Sequence, residues 1–398
     1  MKNNILLSIV IPTKNRQNYA YKAVMQILGI KDDRLQVIVQ DNSENNDLKE
    51  LLSELRNDTR LIFNHTSGLI SFVDNFNYAV DLSQGEFVCV IGDDDGINPQ
   101  ILDYVDWMER EKIDIVKPSI KLGFDWPSGE NNSKILKKSG VVSVKKPSGK
   151  RRLCNTNLGV AKLLKNGCQG YLDLDIAKIY HGIVRKECLE VIKRKNGKYF
   201  GGLSPDIYSA VSLSLEKFVM IDLDYPLTIS GVCKSSASAA SSGGRHIGKL
   251  EEAPHFAGHK EYNWEKEVPQ FYSVETIWAE TALKAVRESG KEELITRYFS
   301  KYELMIHCLI KHPEFKNEIT DSYGNNFRLP LVRVKGYIQN IEIQIKRVED
   351  WMRRKLQIDI VVYNVQDIVQ ASVVIEKQLN KSKYRKAFEK GLSPMGEN

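Results

Sequence analysis

Three consecutive carboxylates, Asp93, Asp94 and Asp95, follow the apolar run FVCVI with only Gly92 between. Unit charges about 4 Å apart repel by about 1 kcal/mol in water and roughly 4 kcal/mol at a protein surface. A divalent cation turns that repulsion into coordination, and oxygen-only ligands point to a hard ion such as Mg²⁺ or Mn²⁺. A solvated turn ahead of the helix that starts near Pro99 is the other reading of the same residues. Two further polar groups stand behind apolar runs, Thr13 after LLSIVIP and Asp41 after LQVIVQ. Thr13 and Asp41 could read a base or ribose while the triplet holds a cation against a pyrophosphate. Singly, Asp41-Asn42-Ser43 would equally make a turn with side-chain-to-backbone bonds. Thr13 and Asn15 would equally cap the helix that follows.

These groups share a site only if strands carry them to one edge. Continuous apolar runs at 6–11, 35–40, 60–63, 87–91 and 113–118 predict buried strands. Between them, 19–28, 48–55, 71–82 and 99–110 have helical spacing, with Gly29 closing the first helix and Pro99 in the first turn of the last. Repeated strand–helix units with short connections make a doubly wound, mostly parallel sheet the expected α/β architecture. In such sheets ligands bind outside the carboxyl ends of the strands. The glycine fingerprint of a dinucleotide domain is missing, since PTKNR follows the first strand, and no GxxxxGK[ST] occurs.

At 398 residues, 42% hydrophobic and 27% charged, the chain has the composition of an ordinary globular protein large enough for two or three domains. A net charge of +6 is mild for this length and argues against nucleic acid as a partner. The six cysteines lack CxxC spacing and several lie in apolar segments, so free thiols in a reducing cytoplasm are expected. ILLSIVI is too short to span a membrane. The expected location is the cytoplasm, with contact at the inner membrane face left open.

SIVIPTKNR, VIVQDNS, a helix containing NFNYA, and GEFVCVIGDDDGINP, in that order, resemble the inverting family 2 glycosyltransferases with the GT-A fold, over roughly residues 5–120. The resemblance implies that Pro12, Thr13, Asn15, Arg16 and Asp41 contact the donor nucleotide. Its Asp-x-Asp element falls on the triplet, with Asp94 as metal ligand, Asp93 facing the ribose, and Asp95 as a second ligand or a supporting acceptor. The family pattern is often Asp-Ser-Asp-Asp; Gly92 takes the first position here, which leaves the metal register open by one residue. The implied cofactor is Mn²⁺ or Mg²⁺.

The middle of the chain should supply the acceptor site. Residues 181–192 read as a strand running into a helix, and 204–217 as a helix capped by Ser204 with Pro205 at its first position. Asp206 then lies where the helix dipole favours negative charge. The resemblance makes an acid at this point the general base that takes the acceptor hydroxyl proton. Asp173 and Asp175 compete for the role, although their alternation in YLDLDIA looks like the polar face of a strand. Lys134 to Arg152 reads as a solvated loop or as a basic rim for a phosphorylated acceptor. SSASAASSGGRHIGK reads as a linker or a lid, with Arg245 and His246 suited to the donor diphosphate and His246 to the metal; His255 and His259 are less well placed.

The expected organisation is a GT-A catalytic domain over 1–232, with a nucleotide half to about 120 and an acceptor half from 121. A lid or linker follows over 233–262 and a mainly helical region over 263–398. Lys346, Arg347, Arg353, Arg354 and Lys355 give that last region a basic side, which suits an appendage, an oligomer contact or a lipid surface. The expected function is metal-dependent inverting transfer of a sugar from a nucleoside diphosphate to an acceptor hydroxyl, in surface-polysaccharide or glycan assembly, the acceptor being a saccharide or lipid-linked saccharide. A sugar-phosphate nucleotidylyltransferase would need a Gly-rich loop after the first strand, and a non-catalytic nucleotide-sugar-binding descendant should have lost the acids.

Overall fold

The computed structural model describes residues 5–120, 122–127, 140–234, 247–250, 253, 256, 258, 262–321 and 359–395, together with part of the stretch 334–356. The main sheet opens with β1 (Leu7–Thr13), β2 (Leu35–Asp41), β3 (Leu61–His65) and β4 (Phe87–Val90), all parallel. Side chains alternate between the two covered faces of these strands. Ile9, Ile11, Val37, Val39 and Cys89 pack to one face with helices α1 (Gln17–Leu28) and, further along, Ile101–Arg110. Val10, Ile38, Val88 and Val90 pack to the other with α2 (Phe72–Asp81). Each such side chain, fully buried, contributes about 1.5–3 kcal/mol. Ser71 caps α2 by accepting from the Asp74 amide at 3.0 Å.

Two short strands, β5 (Gly96–Ile97) and β6 (Ile115–Pro118), flank helix α3 (Ile101–Arg110). The chain then makes β7 (Leu122–Asp125), β8 (Gly140–Val144) and β9 (Arg151–Leu153). The stretch expected to be a loop or basic rim therefore supplies two strands, because Val141, Val142 and Val144 have an apolar sheet to pack against. Its residues 134–139 lie outside the described residues. Asp173 ends a short 3₁₀ turn, Tyr171–Asp173, and Asp175 follows it in a loop, so neither sits on a strand. Next come β10 (Ile183–Arg185) with helix α4 (Lys186–Asn196), then α5 (Pro205–Ser214), β11 (Met220–Leu223) and β12 (Thr228–Val232). Strand β10 inserts antiparallel between β4 and β6, giving the order β3-β2-β1-β4-β10-β6-β11-β9.

A second sheet joins β5, β12, β7 and β8 to β13 (Ile360–Val365). The segment from 365, expected to be helical, thus begins at the end of a strand that pairs antiparallel with β8. Helices α8 (Ile368–Leu379) and α9 (Ser382–Leu392) follow it. Gln26 of α1 donates to Ser372 Oγ and to the Ile97 carbonyl, each at 3.0 Å, and accepts from the Ile97 amide at 2.9 Å. Trp107 Nε1 donates to the Ser393 carbonyl at 3.1 Å. Helices α6 (Val274–Glu288) and α7 (Lys301–Lys311) form a separate core with α5. Among the described residues no helix is long and apolar enough to cross a membrane.

The helical core contains a buried ion cluster with a pH signature. Glu275, 3% exposed, accepts from Lys311 Nζ at 2.6 Å and lies 2.7 Å from His312 Nε2. Burial pushes its carboxyl up, but His312 and Lys311 outweigh burial and hold it at about 2 against an ordinary 4.5. The folded form therefore gains stability above pH 4.5 and loses it as pH falls through 2, a contribution on the order of 3 kcal/mol. Urea midpoints at pH 6 and pH 3 should converge between wild type and Glu275→Gln on acidification. A gap that stays constant would show that the cluster is not its source.

Candidate active site

The parallel register lines up the strand ends. Thr13 pairs with Asp41, and Val10 pairs with Val90, so Asp93 stands level with Thr13 just beyond the sheet. Thr13 Oγ1 donates to Asp93 Oδ2 at 2.6 Å, and Asn75 of α2 donates to the Thr13 carbonyl at 3.2 Å. Asp41 is fully buried; its Oδ1 accepts from the Ser43 amide at 2.8 Å. Its Oδ2 is buried without a hydrogen-bond partner among the described residues. A buried unpaired carboxylate oxygen is costly, and it is an acceptor aimed at a ligand donor. Asn15 adopts the left-handed conformation, φ 57°, which turns its amide to Ser43 Oγ at 2.8 Å and ties the ends of β1 and β2 together.

Arg16 joins the triplet to this edge. Its guanidinium nitrogens lie 2.7 Å from Asp93 Oδ1 and 2.9 Å from Asp94 Oδ2, and one donates to Cys233 Sγ. Burial works against the Arg16 charge, but Asp93 and Asp94 more than compensate and strengthen its hold on the proton. Burial in turn pushes the Asp93 carboxyl up to about 7, against the pull of Arg16. Asp94 is also raised, by burial and then by the Asp95 charge. One cation thus faces two buried carboxylates, with a third alongside.

Asp95 has a different environment. Its Oδ1 accepts from the Gly231 amide at 2.7 Å, and its Oδ2 from the Gly92 amide at 2.7 Å and from Tyr180 at 3.0 Å. His181 Nε2 lies 3.4 Å from that oxygen, and its Nδ1 is 2.8 Å from Thr228 Oγ1. These donors fasten the triplet to β12 and β10 from behind. Trp126 Nε1 completes the attachment by donating to the Asp94 carbonyl at 2.9 Å. Gly92 is explained by this packing: a Cβ there would lie 2.6 Å from the Tyr180 hydroxyl. Tyr180, His181, Trp126 and Cys233 were not singled out in the sequence. Only the tight grouping of Tyr180, His181 and Gly182 ahead of a strand hints at the first two.

Asp206 is half-buried in the first turn of α5, behind Pro205. Its charge is felt at Tyr180: burial first, then Asp95 and Asp206, keep that phenol strongly protonated. Asp175, its competitor, is gripped by both nitrogens of the Arg152 fork at 2.6 Å. Arg245, His246, His255 and His259 lie outside the described residues.

Among the described residues, two places offer acidic ligands for a cation. Cys154, Asp175 and Asp222 gather their ligand atoms within 4.8 Å of one another. Arg152 and Lys117 already neutralise those two carboxylates, with Lys117 Nζ 3.3 Å from Asp222. The triplet is different. Its carboxylates outnumber Arg16, are 2–4% exposed, and offer oxygen alone, the donor chemistry that suits a hard divalent cation.

Residues 8–158 match Glycosyl transferase family 2, a span that includes both strand-end polar groups and the triplet. This chain carries a family 2 glycosyltransferase domain. A colanic acid biosynthesis glycosyl transferase of Escherichia coli (strain K12), WcaA, is 34% identical over 104 residues, 26% of this chain. The chain matches 37% of that relative's length. S. aureus TarS 1-349 in complex with UDP-GlcNAc aligns over 80% of this chain and 79% of its own, at 14% identity and a TM-score of 0.49. The mannosyltransferase PcManGT from Pyrobaculum calidifontis, in complex with GDP-Man and Mn2+, aligns over 94% and 88%, at 12% identity and a TM-score of 0.41. At that distance neither alignment assigns a sugar or an ion to the family 2 domain.

Proposed function

We propose that this protein transfers a sugar, with inversion, from a nucleoside diphosphate to an acceptor hydroxyl, and that a divalent cation assists. The supporting observation is the meeting, at one strand edge, of an unpartnered buried Asp41 oxygen with the over-acidic Asp93–Asp94 pair. Asp41, with Pro12, Thr13 and Asn15, receives the nucleoside; Asp41 Oδ2 accepts from a base N–H. Asp93 faces the ribose, and Arg16 turns to the diphosphate. Asp94 would hold the cation, and Asp95, read from sequence as a second ligand or a supporting acceptor, takes the supporting role by accepting from the Gly231 and Gly92 amides. Arg245 and His246 remain the candidates for a closing segment.

Asp206 is the proposed general base. As the acceptor oxygen bonds to the anomeric carbon, its proton passes to the Asp206 carboxylate. The bond from that carbon to the diphosphate oxygen breaks on the opposite face, and the nucleotide departs with the electron pair. A bound cation would offset the charge that develops on the leaving diphosphate. The partial match to a colanic acid biosynthesis enzyme favours surface-polysaccharide assembly. The proposed acceptor is a saccharide or lipid-linked saccharide, and the proposed site of action is the cytoplasm at the inner membrane face.

A thermal-shift panel of UDP, GDP, dTDP and CMP, each with and without Mn²⁺, tests this reading. One diphosphate at about 100 times its Kd should raise Tm by on the order of 5 °C, and most of that rise should require Mn²⁺. Stabilisation by none of them, or equal stabilisation without the ion, would overturn it.

A further inference from the structure

The described residues between 334 and 355 are helical, and their apolar side chains face solvent. Val334, Ile338, Ile341, Ile345, Val348 and Met352 are each 49–61% exposed. Their spacing runs four, three, four, three, four, the repeat of a coiled-coil seam. Trp351 and Leu356, 59% and 65% exposed, extend the patch. Together the eight side chains exceed the scattered single apolar residues that are normal on a monomer surface.

The heptad register, rather than the charge of the flanks, points to the occupant. Glu342 and Glu349 follow seam residues of one set, and Lys346 and Arg353 follow those of the other. In an antiparallel pairing those carboxylates would face their own kind, whereas in a parallel one Glu349 meets Gln344 of the neighbouring helix. Branched residues dominate both sets of seam positions: Ile338 and Ile345 with the unbranched Met352 in one, Val334, Ile341 and Val348 in the other. That choice favours three or four helices over two. We propose that this helix joins copies of the chain in a parallel coiled coil of more than two strands. The inference is independent of the sugar-transfer reading.

Light scattering on the full chain, after size-exclusion chromatography at micromolar concentration, reads the assembly directly. Wild type should have three or four times the chain mass of 45.4 kDa. The double variant Ile341→Asp/Ile345→Asp should fall to a single chain while keeping the thermal unfolding of the folded core. Gln344→Glu, which leaves the seam intact but sets like charges against Glu349, should weaken assembly at low salt and recover at high salt. A monomeric or dimeric wild type overturns the proposal, as does an assembly that the double variant leaves unchanged. Monomeric chains that instead sediment with phosphatidylserine vesicles would reassign the surface to lipid.

Discussion

Asp206→Asn is expected to lower kcat by about a thousandfold while nucleotide binding stays within a few-fold of wild type. Asparagine keeps the volume and leaves Pro205 to start α5, so the helix and its buried neighbours Ile207 and Tyr208 are undisturbed. What it loses is the ability to take a proton, and a positioned base is worth about 10²–10⁴ in rate. The loss should fall on kcat and leave KM for the donor alone, since the acceptor proton moves only in the chemical step. Steady-state kinetics with saturating donor, alongside calorimetric titration of the nucleoside diphosphate, separates the two. A kcat within tenfold of wild type would remove Asp206 from the base role. Asp175 would be a poor heir, because its two oxygens are already taken by Arg152.

Arg16→Met should carry the largest effect on stability. The guanidinium contacts Asp93 at 2.7 Å and Asp94 at 2.9 Å, and both carboxylates are almost fully buried. Removing one partner of a buried pair leaves charge without compensation, at a cost of about 3–5 kcal/mol. Asp93 sits at about 7 even beside Arg16, so protonation relieves part of that cost and a loss near 3 kcal/mol is expected. The variant should also gain more from Mn²⁺ than wild type does, because a bound cation would restore the missing positive charge. Urea unfolding with EDTA and with Mn²⁺ checks both statements. A variant as stable as wild type in EDTA would show that the triplet needs no cation there.

The half of the site built on β1, β2 and β4 was legible because each strand is buried on both faces. Its sequence is then a continuous apolar run, and whatever polar residue follows stands at the edge. Thr13, Asp41 and Asp93 to Asp95 were all found this way. The rest depends on contacts that no local pattern announces. The division of labour within the triplet is set by the Gly231 amide, 136 residues from Asp95, and by Tyr180 and His181. Arg16 and Cys233 meet across 217 positions. Strand β10 is visible at the start of 181–192, but its antiparallel place between β4 and β6 is not. Strand β9 shows one apolar residue, too few for any period to register, and β13 finds its partner only on β8. The valines of 140–144 were hidden behind the Lys, Gly and Ser around them.

The return of residues 360–393 to the donor half has a consequence for biosynthesis. Gln26, buried in the first helix, bonds to Ser372, and Ala387, Phe388 and Leu392 cover the core that holds Tyr104 and Trp107. Ribosomes release a chain from its beginning, so the nucleotide edge leaves the exit tunnel long before its covering segment exists. The domain must wait, partly uncovered, until residues 360–393 have been made. The core around Tyr104 and Trp107 is thus closed by side chains synthesised long after its own strands.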